Sequence, residues 1–252
     1  MDVHLQVRGL RRVIDSRVIL ADITFDLAPG DILFLRGPSG VGKSLLLRAV
    51  AALDPIQGGS VRCNNQTPSE FGVPDWRSQI TYVSQSRVNL TGTPAELYFS
   101  AQKFAAQRGR QRGDLPDILF QLGLEQLLLN RKWGELSGGQ AQRVSIAIAT
   151  ALKPAILLLD EPTSACDLES TRRVEEVVRE CGSAVIWATH DQEQPRRVGG
   201  KILDLPFGTI STVQVEDQTN PSEAEPSTPP PISTHHSSSP GAVHDSGSQK
   251  LL

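Results

Sequence analysis

A lysine and a serine at the end of a glycine-rich stretch, Lys43 and Ser44, are the residues of this sequence best suited to chemistry on phosphates. The stretch reads Gly-Pro-Ser-Gly-Val-Gly-Lys-Ser and matches the pattern G-x-x-x-x-G-K-[ST]. Its glycines let successive backbone N–H groups converge on phosphate oxygens. Lys43 would reach the outer phosphates of a nucleotide, and the Ser44 hydroxyl would bind the accompanying Mg²⁺. The predicted phosphate-binding residues are Gly37, Pro38, Ser39, Gly40, Val41, Gly42, Lys43 and Ser44.

The segments on either side of this loop have the patterns of a strand and a helix. Residues 31–36 read as a short buried strand, and residues 44–53 read as the helix that follows. This is the context that a phosphate-binding loop requires, and the helix N-terminus would add partial positive charge. An ordinary glycine-rich turn is the alternative interpretation, and these flanks disfavour it.

Two further apolar runs predict buried parallel strands. Residues 155–160 end in Asp160, and residues 184–189 directly precede His190. Helical patterns alternate with them, which favours right-handed βαβ units with ligands at the carboxyl ends of the strands. We therefore predict an α/β fold, a P-loop NTPase core with a mostly parallel sheet and helices on both faces. Strand-like residues 3–7 and 18–25 predict an antiparallel β edge, and further strand material lies at 61 and 80–83.

The middle of the chain has a helical pattern. Thr93 and Glu96 form a capping-box pattern, and Asp114 precedes a second helix that ends at Gly123. We predict an all-helical insertion over about residues 86–134, within an ATP-binding domain of residues 1–212. Residues 213–252 are rich in Ser and Pro and predict a disordered tail.

The net charge and the hydropathy of the sequence disfavour some classes of function. The 252-residue chain has a formal net charge of −3 and no basic patch, so nucleic acid is not an expected partner. The sequence has no apolar run of the roughly 18–20 residues that cross a bilayer, and its start lacks signal-peptide character. We expect a protein that stays on the side of the membrane where it is made.

A second motif, Leu-Ser-Gly-Gly-Gln at 136–140, gives the sequence its family resemblance. Together with Lys43, Gln85, Asp160, Glu161 and His190 in this order, it resembles the ATP-binding cassette (ABC) ATPases over residues 1 to about 212. A plain helix cap at Ser137 is an alternative interpretation of the motif, and both can hold together. Taken singly, the Gln, Glu and His positions say little.

The resemblance implies ATP and Mg²⁺ as cofactors and a role for each matching residue. Glu161 would be the base that activates water, with His190 and Gln85 as further catalytic residues. The implied Mg²⁺ ligands are Ser44, Gln85 and Asp160. The resemblance also implies a head-to-tail dimer of the chain with itself or with a homologous ATPase subunit. In that dimer, the motif would cover the partner's nucleotide with Ser137, Gly138, Gly139 and Gln140, and Asp167 would connect the two sites.

The sequence departs from the family pattern at the base-binding segment. Family members usually place an aromatic residue there, and the matching segment, about Arg12 to Ile14, has none. An arginine plane or an aliphatic contact would have to replace it. We therefore predict weak discrimination between bases, with GTP accepted.

By resemblance, the chain is the ATP-hydrolysing subunit of an ABC transporter. It would act peripherally from the cytoplasmic side and power separate integral membrane subunits, which dock on the helical insertion, especially residues 86–104, and on the Gln85 loop. Residues 75–85 look similar to bacterial metal (iron) export subunits and plant aluminium-tolerance relatives, whereas the transported substrate is not encoded. One alternative is a soluble cassette ATPase that acts on ribosomes, DNA or iron–sulfur assembly. Another is a nucleotide-gated binding module without turnover, but the presence of Glu161 conflicts with it.

Overall fold

The computed structural model of the chain describes residues 4–85 and 91–213. Its strands are β1 (Leu5–Ile14), β2 (Arg17–Leu27), β3 (Ile32–Arg36), β4 (Gly58–Cys63), β5 (Ile80–Val83), β6 (Ile156–Asp160), β7 (Ala184–Ala188), β8 (Gly200–Asp204) and β9 (Thr209–Val213). Its α-helices are α1 (Lys43–Val50), α2 (Pro68–Phe71), α3 (Val73–Gln79), α4 (Pro94–Lys103), α5 (Leu115–Gln121), α6 (Gly138–Ala151), α7 (Leu168–Glu180) and α8 (Gln194–Val198). Short 3₁₀ helices lie at Ala105–Gln107, Gln126–Asn130 and Trp133–Glu135.

A six-stranded sheet with the order β5-β6-β7-β3-β8-β9 forms the centre of the fold. Neighbouring strands are parallel from β5 to β8, and only β9 pairs antiparallel, with β8. Because parallel strands end at the same edge, the segments that follow β3, β5, β6 and β7 are brought together there. These segments carry the predicted site residues.

The sheet separates two halves of a hydrophobic core. Alternate residues of β6 point to opposite faces, so Leu157 and Leu159 pack with α5, α6 and α7, whereas Ile156 and Leu158 pack with α1 and the antiparallel strands. All five residues of β6 and of β7 are buried. The predicted unbroken apolar strands are therefore confirmed, because both faces of the sheet are covered.

The antiparallel strands form a sheet of their own, in the order β2-β1-β4. The α/β class with its P-loop core is confirmed, but these strands do not extend the parallel sheet as an edge. The antiparallel edge of the central sheet is β9, which the sequence analysis did not predict, as it did not predict β8, α2, α3 or α8.

The described part of the insertion contains helices and 3₁₀ turns. Thr93 and Glu96 make the predicted capping box at the start of α4, and Asp114 caps α5 by accepting from Asp117 N. The first residues of the predicted insertion, 86–90, lie outside the described residues, as does the predicted tail apart from residue 213. Among the helices of the described ranges, none is long and apolar enough to cross a bilayer.

Candidate functional site

The predicted catalytic residues meet at the carboxyl edge of the central sheet. The glycine-rich loop follows β3, and Gln85, Glu161 and His190 follow β5, β6 and β7. They line one open pocket of about 320 Å³. Its lining residues are Ser39, Gly40, Gly42, Lys43, Ser44, Leu45, Gln85, Glu161 and His190.

Close packing explains two of the glycines in the loop. Gly37 has a φ of +151°, and a Cβ on it would meet the Leu205 carbonyl oxygen at 2.9 Å. Gly42, with a φ of +111°, caps α1, and its Cβ would meet a Leu20 methyl group at 2.9 Å. Larger residues at either position would move the loop away from its place over the sheet.

Lys43 is buried and folds back over its own loop. Its Nζ donates to the carbonyl oxygens of Gly37 at 2.9 Å and of Pro38 at 3.3 Å. Burial lowers the pKa of the Lys43 ammonium, while the carboxylates of Glu161 and Asp160 oppose that shift. An anion in the pocket would stabilise the charged lysine further.

Glu161 has both carboxylate oxygens engaged. Oε2 accepts a hydrogen bond from Gln85 Nε2 at 2.5 Å, and Oε1 pairs with His190 Nε2. The backbone of Glu161 turns sharply after β6, with a φ of +49°, while its N–H donates to the Ala188 carbonyl at 2.9 Å. Glu161 thus contacts both of the other predicted catalytic side chains directly.

Asp160 is buried at the end of β6. Its Oδ2 accepts from the Tyr82 hydroxyl at 2.8 Å, whereas Oδ1 has no hydrogen-bond partner within the described residues. Burial raises the pKa of Tyr82, and the Asp160 charge adds to that shift. An orphaned carboxylate oxygen fits the predicted water-mediated contact with Mg²⁺. Sequence reasoning missed Tyr82, whose only signal was its place in a predicted strand three residues before Gln85.

The Leu-Ser-Gly-Gly-Gln motif lies outside the pocket. Ser137 and Gln140 form a capping box at the start of α6, with Gln140 N donating to Ser137 Oγ at 3.2 Å and Ser137 N to Gln140 Oε1 at 3.0 Å. Ser137 and Gly138 are exposed, and a Cβ on Gly139 would meet the Ala165 carbonyl at 2.6 Å. The motif is a helix cap in this structure, and its N-terminal face is open.

Asp167 also acts as a helix cap. Its Oδ1 accepts from Ser170 N at 2.7 Å at the start of α7, and these hydrogen bonds lower the pKa of its carboxyl. The described structure does not place Asp167 in the pocket of Glu161.

The base-binding segment lies at the end of β1. Arg12 is buried, and its guanidinium donates to Pro55 O and Gln57 Oε1, so it is not available to stack on a base. The aliphatic side chains that this region presents are Ile14, which is 37% exposed, and Val18, which is 42% exposed. An aliphatic contact is therefore the replacement that the structure supports.

Comparison with known proteins agrees with this geometry. Residues 20–164 match the family described as ABC transporter. The sulfate/thiosulfate import ATP-binding protein CysA of Xanthomonas campestris is 32% identical over 88% of this chain and 67% of its own length. The Fe(3+) ions import ATP-binding protein FbpC 2 of Haemophilus influenzae is 30% identical over 82% and 60%, and the spermidine/putrescine import ATP-binding protein PotA of Pseudomonas fluorescens is 32% identical over 76% and 54%.

Solved structures show the same fold. The ATP-binding cassette MJ0796, bound to ADP and Pi as a dimer in a post-hydrolysis state, has a TM-score of 0.70 and 25% identity, covering 83% of this chain and 98% of that one. A structure described as the ATP-binding subunit of an ABC transporter has a TM-score of 0.74 at 24% identity, covering 82% of this chain and 89% of that one.

The comparisons support the family and not every finer prediction. The chain spans between 54% and 67% of the length of the three relatives named above. Those relatives are named for import, so the predicted resemblance to metal-export and aluminium-tolerance subunits is not supported. On the matched motifs, the fold and the grouping of Lys43, Glu161 and His190, the chain belongs to the ABC transporter family as one of its ATP-binding, ATP-hydrolysing domains.

Proposed function

We propose that the chain is the ATPase subunit of an ABC transporter and works as a head-to-tail dimer around two ATP molecules. The observation that carries this proposal is a site divided between two surfaces. The pocket holds the phosphate loop, Glu161 and His190, whereas the second helix N-terminus, at Ser137, is exposed and does not line it. A second molecule supplies that missing side, either a copy of this chain or a homologous subunit.

Nucleotide binding starts in the glycine-rich loop. The backbone N–H groups of residues 39–44 hold the phosphates at the N-terminus of α1, and Lys43 exchanges its contacts with Gly37 and Pro38 for phosphate oxygens. Lys43 already lies in place, so this exchange requires little rearrangement. The partner's Ser137, Gly138 and Gly139 then close the site over the outermost phosphate.

A Mg²⁺ bound with the nucleotide supplies charge neutralisation at the β- and γ-phosphates. The residues of this chain that would hold it are Ser44, which lines the pocket, Asp160 and Gln85. Asp160 is suited to the task because the Tyr82 hydrogen bond fixes one carboxylate oxygen and leaves the other for a water of the metal shell.

Hydrolysis depends on the release of Glu161. In this structure Gln85 engages one of its oxygens and His190 engages the other, and both contacts weaken Glu161 as a base toward water. Contacts of His190 with a bound γ-phosphate and of Gln85 with a bound Mg²⁺ would release Glu161 to accept a proton from the attacking water. Turnover therefore requires a loaded and closed site.

A glutamine substitution separates binding from turnover. We expect Glu161→Gln to bind ATP as the unmodified chain does, because the phosphate loop is unchanged, and to hydrolyse it at least about 100-fold more slowly, because the base is lost. Phosphate release and equilibrium ATP binding measure the two effects. Glu180→Gln, at the exposed end of α7, is the control and should behave as the unmodified chain. Normal hydrolysis by Glu161→Gln would remove Glu161 from the mechanism.

The membrane partner docks on the helical insertion and the Gln85 loop in this proposal. Residues 86–90 lie outside the described residues, but α4 presents Phe99, which is 59% exposed, near the start of the insertion. An apolar ring in that position fits a coupling segment of an integral membrane subunit acting from the cytoplasmic side. Movement of that segment would reach Glu161 through Gln85.

Paired substitutions test this docking surface. Phe99→Ser should abolish copurification of the membrane subunit from solubilised membranes, because an aromatic contact in an interface is replaced by a small polar group. Phe207→Ser removes an even more exposed ring, 85% exposed and outside the insertion, and should leave copurification intact. Equal copurification with both variants would place the docking site elsewhere.

Import is the transport direction that the named relatives favour, and the prediction of metal export has no support among them. The substrate belongs to the membrane partner's translocation path. A soluble cassette ATPase acting on ribosomes, DNA or iron–sulfur assembly remains the alternative, and failure to recover any membrane partner would favour it. A nucleotide-gated module without turnover conflicts with the placement of Glu161 against Gln85 and His190.

A further inference from the structure

A cluster of buried charged and polar side chains lies next to the loop that carries His190. It joins α7 to α8, and its Asp191 lines a small pocket of about 160 Å³ together with Glu161 and His190. Glu175 on α7 is buried, Gln194 on α8 is completely buried, and Arg197 on α8 is half-buried. Burying a carboxylate costs free energy unless its charge is compensated, so the Glu175 carboxylate requires partners that carry positive charge or donate hydrogen bonds.

Arg197 is the centre of the cluster. Its Nη2 donates to Glu175 Oε1 and to Asp191 Oδ2, each at 2.6 Å, and its Nε lies 3.2 Å from both Glu175 oxygens. Gln194 Nε2 adds a hydrogen bond of 2.9 Å to Glu175 Oε1. Glu175 accepts from two residues of α8, and the guanidinium is shared between α7 and Asp191.

Asp191 connects this cluster to the backbone around His190. Its Oδ1 accepts from Glu193 N at 2.9 Å, and its own N–H donates to Thr189 Oγ1 at 3.0 Å. Burial alone would raise the pKa of Asp191, but the hydrogen bonds from Arg197 and from the backbone hold it below its usual value. The residues on both sides of His190 are therefore fixed by hydrogen bonds.

The helix at the other end of the cluster begins at another predicted site residue. Asp167 caps α7, two turns before Glu175, and helices transmit displacements as nearly rigid bodies. Helix α7 thus begins after Asp167 and is linked, through Glu175 and Arg197, to Asp191 beside His190.

We propose that Arg197 is a positioning residue for ATP hydrolysis, which by bridging Glu175 and Asp191 holds the His190 loop on α7 and sets the imidazole against Glu161. The inference rests on the proposed function, in which His190 acts on the γ-phosphate. It adds a series of contacts that joins α7 to the loop of His190 within the same chain.

Removing the bridge should lower turnover and spare nucleotide binding. We expect Arg197→Gln to reduce kcat by roughly 10- to 100-fold, the range for a catalytic group displaced by about 1 Å, with ADP affinity unchanged because the phosphate loop is intact. Asp191→Asn, at a side chain that is 43% exposed, should fold normally and reduce kcat in the same direction. The control is Arg173→Gln, which removes the exposed ion pair with Glu169 on the same helix and should leave kcat unchanged.

A double-mutant cycle distinguishes positioning from general destabilisation. With His190→Gln already present, Arg197→Gln should lower kcat no further, since no imidazole remains to be positioned. An equal fold-loss in both backgrounds, or an unchanged kcat for Arg197→Gln alone, overturns the inference. If Arg197→Gln does not fold, Asp191→Asn carries the same cycle. If His190→Gln alone hydrolyses ATP normally, the proposed function fails first, and the two failures are thereby distinguished.

Discussion

Glu161 shows how a single residue combines folding and chemistry. Its backbone takes a φ of +49°, a conformation that costs a non-glycine residue about 1 kcal/mol or more, and a hydrogen bond to Ala188 holds it there. The turn aims the carboxylate at Gln85 and His190 and away from the strand. The strained turn thus places the carboxylate that we propose as the catalytic base.

Base recognition is the residue-scale feature that departs most from the family pattern. Ile14 and Val18 offer alkyl surface without a hydrogen-bonding group, and Arg12 is engaged with Pro55 and Gln57. We expect ATP and GTP to displace a labelled nucleotide with affinities within about threefold of each other, a difference of under about 1 kcal/mol. A preference for ATP above about tenfold would contradict this account.

Ile14→Tyr should tighten binding of both nucleotides by about tenfold through stacking, whereas Ile210→Tyr on β9 should not.

At the scale of elements, the carboxyl edge of the sheet does most of the positioning. The parallel register of β5, β6, β7 and β3 brings Gln85, Glu161, His190 and Lys43 to one edge, although they are far apart in sequence. Helix α1 supports the phosphate loop, and an ion pair at its carboxyl end fixes the following turn. Arg48 donates to both Asp54 carboxylate oxygens, at 2.9 and 2.7 Å.

That ion pair predicts a pH dependence of stability. The hydrogen bonds from Arg48 hold the pKa of Asp54 below its usual 3.8. A carboxyl with a depressed folded-state pKa contributes stability above its unfolded-state pKa and loses it as the pH falls through the folded-state value. Asp54→Asn should therefore lower the free energy of unfolding at pH 7 by about 1 kcal/mol, discounted for the exposed Arg48, and the difference should shrink as the pH falls below 3.8 and through the lowered pKa of Asp54. Denaturant unfolding at several pH values measures this.

A matched substitution controls for the loss of a carboxylate. The side chains of Asp26 and Arg8 form an exposed ion pair, so Asp26→Asn should change stability by less than about 0.5 kcal/mol at pH 7. Equal effects of Asp26→Asn and Asp54→Asn would show that the Arg48 contact is not special.

Elements with strong local signals could be predicted from sequence. The apolar runs of β6 and β7 and the caps at Thr93, Asp114 and Asp167 all appear in the structure. Helices α2 and α3 were missed because they are only four and seven residues long, although Thr67 and Glu70 form a readable capping box. Strand β9 was missed because its residues are mostly exposed and its pairing with β8 gives no apolar alternation.

The same distinction holds for the site. Lys43 could be predicted because the phosphate loop has a fixed local pattern, whereas Glu161 could be predicted only from its order relative to that loop and the second motif. The contacts of Tyr82 with Asp160, across 78 residues, and of Arg197 with Glu175, across 22, could not, because no local pattern encodes a long-range pairing.

At the scale of the whole molecule, the described chain presents one half of each of two sites. In the proposed dimer, the pocket with Lys43 and Glu161 would hold a nucleotide from one side, and the exposed N-terminus of α6 at Ser137 would cover another. Two such molecules in head-to-tail arrangement would complete both sites. ATP-dependent closure and hydrolysis-dependent release would then drive a membrane partner.

The mass of the Glu161→Gln variant in the presence of ATP and Mg²⁺ tests this account most directly. With ATP, light scattering on the eluting protein should give twice the 27.3 kDa mass of the single chain. Without nucleotide it should give the mass of one chain. Adding Ser137→Glu should also give the mass of one chain with ATP, because the new negative charge would lie over the partner's phosphates. Two results together would contradict the shared site. The first is the mass of a single chain under every magnesium-nucleotide condition. The second is a complex with the membrane subunit that contains one copy of this chain and no homologous ATPase.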